Sequence, residues 1–143
     1  MCGIVGYTGK KQAAPILLDG LSKLEYRGYD SAGLAVRDGE KLAEVVKATG
    51  RLKNLMEMTD EGRALPGTCG IGHTRWATHG EPSTVNAHPQ YTREKRVVIV
   101  HNGIIENYQE IKEALVRKGY TFSSQTDTEV AAALLDSYYV EAG

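Results

Sequence analysis

The sequence predicts an α+β fold, because segments with helical spacing alternate with short strand-like segments. Residues 11–26 carry alanine and leucine at the spacing of an amphipathic helix. Residues 32–37 and 41–48 are short apolar runs separated by Asp38-Gly39, a favoured hairpin turn. An antiparallel hairpin together with helices indicates an α+β or layered sandwich arrangement.

Further elements are predicted on both sides of this hairpin. Residues 3–8 read as a short buried strand, and the apolar residues within 52–56 predict a short helix. Residues 69–75 and 96–101 read as two more strands, joined by the long polar loop 76–94.

Two helices complete the predicted fold. Residues 105–115 have an apolar stripe at helical spacing, and Gly119 is suited to end that helix. Thr126 and Glu129 match a capping box at the start of the last helix. Because this helix is still running at residue 143, we expect the chain to be a fragment.

Composition excludes several classes of function. The 143 residues have a net charge of −1 and no block of either sign, so no nucleic-acid or membrane-surface footprint is present. The apolar run 97–100 is too short to cross a membrane, and no signal peptide is recognisable. Cys2 and Cys69 make no disulfide framework, so we expect a reducing cytoplasm.

Cys2 directly follows the initiator methionine, and this position allows two interpretations. In one, Cys2 is a small buried side chain at the end of the first strand. In the other, Met1 is removed and Cys2 carries a thiol and an α-amine on one residue. An α-amine titrates at about 7.7–8.0, so it is partly neutral near pH 7 and suited to be the base for its own thiol. The first residues alone leave both interpretations open.

Polar residues at strand ends and in loops are the other candidates for a site. Arg75 can bind a carboxylate beside Trp76, or it can simply extend to solvent. Asn102-Gly103 can form a hairpin turn, or it can supply two donors to an oxyanion. Asp127 can face the ammonium group of a ligand from the first turn of the capped helix.

The sequence predicts no metal and no cofactor. The histidines do not follow the spacing of HExxH or of a zinc finger, and Cys69 has no CxxC partner. The segment GYTGKK lacks the first glycine and the Ser or Thr of a phosphate-binding loop. The four histidines are His73, His79, His88 and His101.

Six short motifs follow one another along the chain: CGIVG (2–6), YRGYDSAG (26–33), HTRWATHG (73–80), NAHP (86–89), HNGIIEN (101–107) and TDTE (126–129). In this order they resemble the class II glutamine amidotransferases, a group of N-terminal-nucleophile hydrolases. YRGYDSAG, HTRW and HNGIIEN favour the sugar-aminating branch, whose members pass ammonia to fructose 6-phosphate. The resemblance implies a four-layer α/β/β/α sandwich, incomplete within this chain.

The resemblance also implies roles for the candidate residues. Cys2 is the nucleophile that attacks the side-chain amide of glutamine, and its α-amine is the base. Asn102 and the backbone amide of Gly103 form the oxyanion hole. Arg75 holds the α-carboxylate of the substrate and Asp127 holds its α-ammonium group, and the products are glutamate and ammonia.

Five further positions match the motifs of the resembled group. By this resemblance, Trp76, Thr78 and His79 lie on a loop that closes over glutamine and contact it. Arg27 and Gly28 lie near the nucleophile as supporting residues.

The resemblance implies that residues 1–143 are the N-terminal portion of the glutaminase domain, without the sugar-isomerase domains of the complete enzyme. Fructose 6-phosphate reacts in those domains, and the complete enzyme is a homodimer. We expect a chain that retains Met1 to be inactive, because the amine of its nucleophile is blocked.

Three alternatives stay open. The chain can be the glutaminase domain of an amidophosphoribosyltransferase-type enzyme, or a non-catalytic fragment that binds glutamine without hydrolysing it. It can also be a cysteine protease in which Cys2 is paired with a histidine. The preferred mechanism predicts that replacing each histidine leaves hydrolysis largely intact, whereas blocking the N-terminus abolishes it.

Overall fold

The computed structural model describes residues 3–25, 29–76 and 81–142, and it confirms the predicted α+β class. Strands and helices alternate through the first part of the chain, and two longer helices follow. The elements in chain order are β1 (Gly3–Thr8), α1 (Ala13–Lys23), β2 (Ser31–Arg37), β3 (Glu44–Thr49), α2 (Leu52–Met58), β4 (Cys69–Arg75), β5 (Gln90–Tyr91), β6 (Val98–Ile99), α3 (Tyr108–Arg117) and α4 (Asp127–Glu141).

Four strands form one antiparallel sheet in the order β1-β4-β2-β3. Its register places Gly3 opposite Thr74 and Ser31 opposite Arg75. The first residues of β1 and β2 therefore meet the last residues of β4 at one end of the sheet.

Helices α1 and α2 cover one face of this sheet with an apolar core. Leu17 and Leu21 of α1 pack with Leu34 of β2 and Leu55 of α2, and all four side chains are buried. Glycine at position 72 permits this close packing, because a Cβ there would approach the side chains of Val5, Leu34 and Leu21. Burial of this apolar surface is the main stabilising contribution in this part of the chain.

The opposite face of the sheet is polar where the candidate site lies. Side chains alternate along a strand, so Ile71, His73 and Arg75 of β4 point away from α1. Gly33 lies opposite His73 in the register. A Cβ at Gly33 would collide with the carbonyl oxygen of His88, so only glycine lets this segment lie against β2.

The rest of the described chain packs as a small sheet and two helices. Strands β5 and β6 pair antiparallel, α4 contacts both of them, and α3 packs on α4. Gly119 ends α3 with a φ of +99°, and the next N–H, that of Tyr120, donates to the carbonyl of Leu115 at 3.0 Å. This is the hydrogen-bond pattern of a glycine C-cap, as predicted.

Several predicted boundaries are wrong. The connection after β2 is longer than a two-residue turn, because β3 begins at Glu44 and the exposed Leu42 lies outside the sheet. The strand predicted over 96–101 has only two residues, and the loop predicted over 76–94 contains β5. Helix α3 begins three residues after Ile105, whose N–H donates to Asp127 and not into a helix.

No helix within the described ranges is long and apolar enough to span a membrane. The longest of them, α4, has fifteen residues and carries acidic side chains in its first turn.

Candidate functional site

The candidate site lies at the end of the sheet where β1 begins and β4 ends. The N–H of Gly3 donates to Oγ1 of Thr74 at 3.1 Å, which fixes the start of β1 against β4. The N–H of Asp30 donates to the carbonyl of Arg75 at 2.8 Å, which fixes the approach to β2 at the same place. Cys2 precedes Gly3 in the sequence and lies outside the described residues.

Arg75 is the cation of this site. It is the last residue of β4 and only 4% exposed. Its Nη1 donates to the carbonyl of Glu81 at 3.4 Å. The next residue in the chain, Trp76, is 53% exposed, so its side chain is accessible to a ligand.

Asn86 joins the segment beside Arg75 to the segment before α4. Its Nδ2 donates to the carbonyl of Glu81 at 2.9 Å and to Oε1 of Gln125 at 3.1 Å. Its Oδ1 accepts the N–H of Gln125 at 2.8 Å. Because Asn86 is buried, these bonds fix the distance between Arg75 and the first turn of α4, where Asp127 lies.

Asp127 is the anion of this site. Its side chain is 7% exposed, and its Oδ2 accepts the N–H of Ile105 at 2.7 Å. Oγ1 of Thr126 caps α4 by accepting the N–H of Glu129 at 3.2 Å. The other half of the predicted capping box is wrong, because the Glu129 carboxylate instead accepts the N–H of Ser124 at 2.7 Å.

Asn102 and Gly103 follow β6 and are exposed. Gly103 has a φ of +139°, so the chain does not form the two-residue hairpin considered as an alternative. Oδ1 of Asn102 accepts a hydrogen bond from Nε2 of His73 at 2.8 Å. The same His73 nitrogen is 3.2 Å from the carbonyl of His101.

Two neutral histidine rings lie behind Asn102. The rings of His73 and His88 stack with centroids 4.2 Å apart and planes 18° from parallel. Burial, with a smaller contribution from the charge of Arg75, lowers the pKa of His73 to about 4. Burial also lowers the pKa of His88 to about 2, with additional effects of His73 and Arg75. Both rings are therefore uncharged at neutral pH.

Comparison with known proteins identifies the family. The profile of the glutamine amidotransferase domain matches residues 58–142, which is more than half of the chain. The chain belongs to the glutamine amidotransferase domain family.

Curated relatives agree with this assignment. Over 139 residues, the amidotransferase domain is 58% identical to glutamine–fructose-6-phosphate aminotransferase (isomerizing) of Clostridium perfringens and to that of Thermus thermophilus. The matches cover 97% of this chain and 22% or 23% of the relatives. The chain therefore spans about a fifth of the length of these relatives.

Solved structures support the fold. The amidotransferase domain superposes on glutamine phosphoribosylpyrophosphate amidotransferase from B. subtilis with a TM-score of 0.79 and 29% identity. A structure described as the allosteric regulatory enzyme of purine biosynthesis gives the same TM-score at 31% identity. Each match covers 95% of this chain and 29% of the other, so the described elements form part of a larger known fold.

Within the amidotransferase domain, the structure brings together the predicted site residues that it describes. Arg75, Asn102, Gly103 and Asp127 belong to one group of hydrogen-bonded segments, and Trp76 directly follows Arg75 in the chain. The predicted residues outside the described ranges are Cys2, Arg27, Gly28, Thr78 and His79.

Two residues that organise the site are not predicted to have a role from the sequence. His73 and Asn86 lie within quoted motifs, HTRWATHG and NAHP, but neither type of side chain has a spacing that indicates its partner. Their partners are 29 and 39 residues away, respectively.

Proposed function

We propose that this domain hydrolyses the side-chain amide of glutamine to glutamate and ammonia, with Cys2 as an N-terminal nucleophile. One observation carries the proposal: hydrogen bonds between neighbouring segments hold Arg75, Asp127 and Asn102 at the end of the sheet where β1 begins. Gly3, the first residue of β1, directly follows Cys2 in the sequence. Membership of the glutamine amidotransferase domain family supports the same reaction.

Substrate recognition follows from the two buried charges. Glutamine is a zwitterion, so it needs a cation for its α-carboxylate and an anion for its α-ammonium group. We assign these roles to Arg75 and Asp127, which are held in a fixed relation through Asn86. Trp76, with Thr78 and His79 of the same motif, contacts the bound substrate.

The reaction begins with transfer of the Cys2 thiol proton to the α-amine of the same residue. The thiolate attacks the side-chain carbonyl carbon of glutamine, and a tetrahedral oxyanion forms. Nδ2–H of Asn102 and the N–H of Gly103 donate hydrogen bonds to this oxyanion. The carbon–nitrogen bond then breaks, and the α-ammonium of Cys2 returns its proton to the departing nitrogen, which leaves as ammonia.

A thioester between Cys2 and the γ-glutamyl group remains after ammonia has left. The α-amine removes a proton from water, which attacks the thioester carbonyl in the same oxyanion hole. The carbon–sulfur bond then breaks and glutamate leaves, and the Cys2 thiolate takes up the proton from the α-ammonium group. Arg27 and Gly28 are assigned supporting roles near the nucleophile.

We further propose that residues 1–143 are the N-terminal portion of the glutaminase domain of a longer homodimeric enzyme that aminates fructose 6-phosphate to glucosamine 6-phosphate. Relatives with that substrate in their names are 58% identical to this chain. A second candidate is an amidophosphoribosyltransferase, which the superposition at 29% identity favours. The difference in identity makes the sugar phosphate the preferred acceptor.

Intact mass and glutamate release, measured on one purified sample, test the proposed hydrolysis. We expect a mass lower by one methionine, and glutamate formation that ends on alkylation of Cys2. Cys69 provides a matched control, since it is an exposed free thiol on the same sheet. Cys2→Ser should abolish hydrolysis and Cys69→Ser should not.

Three other results would contradict a specific part of the proposal. Activity that survives Cys2→Ser would refute the nucleophile. A chain that has lost Met1, binds glutamine and releases no glutamate would refute hydrolysis by this chain and support a binding fragment. In the full-length protein, formation of phosphoribosylamine in place of glucosamine 6-phosphate would identify the second candidate as the acceptor reaction.

A further inference from the structure

We propose that His73 is a positioning residue, which orients the side-chain amide of Asn102 so that its N–H groups face the oxyanion. This inference rests on the proposed glutaminase function and adds a residue to its machinery. His73 is fully buried on β4, two positions before Arg75. Its Nε2 lies 2.8 Å from Oδ1 of Asn102 and 3.2 Å from the carbonyl oxygen of His101.

The chemistry of these partners fixes the direction of the hydrogen bond. Both are oxygen acceptors, so Nε2 of His73 carries the hydrogen and donates to them. Burial keeps the ring neutral, and a neutral imidazole has one N–H, so Nδ1 is unprotonated. His73 is therefore a one-sided donor that binds the oxygen end of the Asn102 amide and not its nitrogen end.

This preference determines what the amide presents on its other side. Oxygen and nitrogen lie on opposite arms of the amide, so fixing Oδ1 at His73 directs Nδ2–H away from it. Rotation by about 180° would place an acceptor where the oxyanion forms, which repels it. The loss of one oxyanion donor costs about 10²–10³ in kcat, so a side chain that prevents this rotation has a large effect on rate.

The ring of His73 is itself held in place by its neighbours. It stacks on His88 at 4.2 Å, and Nδ1 of His88 lies 3.4 Å from the N–H of His101, which can donate to it. Gly33 of β2 is paired with His73 of β4 in the sheet. Because Gly33 has no Cβ, the backbone of His88 can lie directly over β2 at this position. Residues from four motifs of the sequence thus determine the orientation of one amide.

The inference revises the prediction that every histidine can be replaced with little effect on hydrolysis. We expect His73→Phe to lower kcat by about 10- to 100-fold while KM for glutamine changes less than about threefold. His73→Gln keeps an N–H donor near the position of Nε2 and should recover most of the rate. A glutamine side chain is not a base, so this rescue also excludes His73 as the histidine partner of Cys2 in the cysteine-protease alternative.

A double-mutant cycle with Asn102→Ala separates positioning from a general loss of structure. If His73 acts through Asn102, His73→Phe should lower kcat no further in the Asn102→Ala background. If the losses of kcat from the two single changes multiply in the double variant, the inference is overturned. A His73→Gln variant as slow as Asn102→Ala would also overturn it. Thermal unfolding of each variant, measured in parallel, identifies any variant that fails to fold. If His73→Phe does not fold, the rate of His73→Gln alone tests the inference.

A readout that needs no turnover separates this inference from the proposed function. The side-chain NH₂ signals of Asn102 in a ¹⁵N-labelled sample, assigned by their loss in Asn102→Ala, report the orientation of the amide. We expect one sharp pair in the parent chain and in His73→Gln, and shifted or broadened signals in His73→Phe. Unchanged signals in His73→Phe would overturn the inference even if the chain does not hydrolyse glutamine.

Discussion

The two halves of the chain are stabilised by different kinds of contact. The sheet half, residues 3–25 and 29–75, contains most of the buried apolar side chains among the described residues, in one cluster between helices and sheet. The loop half, residues 81–142, contains most of the buried polar side chains. Its apolar cluster is small, and the buried members are Leu115, Val130 and Ala133.

This difference matches what each half contributes to the site. Apolar burial is non-directional and gives a stable support, whereas hydrogen bonds define distances and angles. Arg75 and His73 come from the last strand of the sheet half, and their partners Glu81 and Asn102 lie in the loop half. The site therefore lies at the boundary, where a rigid sheet meets segments oriented by hydrogen bonds.

Acidification should weaken this boundary more than any other part of the molecule. The folded rings of His73 and His88 have pKa values of about 4 and about 2, against about 6.5 in the unfolded chain. Below pH 6.5 the unfolded state therefore binds protons that the folded state does not, and stability falls as pH falls. Between pH 7 and pH 5 we expect a loss of about 2 kcal/mol for each ring.

Urea unfolding at pH 7 and pH 5 measures this loss. His88→Gln removes one titrating ring. The free energy of unfolding that this variant loses between the two pH values should therefore be smaller by about 2 kcal/mol than the loss in the parent chain. An equal loss in the parent chain and in His88→Gln would show that His88 is not buried in its neutral form.

Removal of one apolar side chain should have the next largest effect. Leu21 of α1 is fully buried against the sheet, and Leu21→Ala should lower the free energy of unfolding by about 3 kcal/mol because it leaves a cavity. Leu135 of α4 is 51% exposed, and the same change there should cost under about 0.5 kcal/mol. Similar losses from the two changes would refute the assignment of the apolar core to the sheet half.

The sheet half could largely be predicted from the sequence. Residues 3–8 and 69–75 were predicted as strands with the bounds that the structure gives them. The helix predicted over 11–26 is also present, as the shorter α1 (Ala13–Lys23). Apolar periodicity predicts these elements correctly, because one face of each element packs on a single apolar core.

The loop half could not be predicted to the same degree, because its contacts are specific and distant. Asn86 binds Gln125 across 39 residues, and no period in the sequence indicates such a pair. Strand β6 is too short for a pattern of alternation, and it follows a polar segment that packs through side-chain hydrogen bonds. The site residues in this half were predicted from the resemblance of motifs. Such a resemblance indicates which residues belong to the site, but not which residues they form hydrogen bonds with.

Replacing Asn86 should show that a polar side chain can be nearly as important to stability as a buried leucine. Asn86→Ala removes its three side-chain bonds to Glu81 and Gln125 and leaves the N–H of Gln125 without its acceptor. We expect a loss of about 2 kcal/mol in the free energy of unfolding. The KM for glutamine should rise about tenfold, since the spacing of Arg75 and Asp127 is no longer fixed.

Asn107 offers a matched control for this change. It is exposed and its side chain makes no capping hydrogen bond to α3, so Asn107→Ala should leave both stability and KM close to those of the parent chain. A normal KM in a destabilised Asn86→Ala variant would confine the role of Asn86 to stability and contradict the proposed link between the two charged residues.

The smallest expected effect tests a single hydrogen bond of the loop half. Oγ1 of Thr126 accepts the N–H of Glu129, and Thr126→Ala should lower the free energy of unfolding by about 1 kcal/mol. Thr126→Ser keeps the acceptor and should restore most of this stability. The Glu129 carboxylate bonds Ser124 and not the N–H of Thr126, so the cap depends on the threonine alone. If Thr126→Ala costs nothing in urea unfolding, α4 is held by its packing on β5 and β6, and the contrast between the two halves is weaker at this helix.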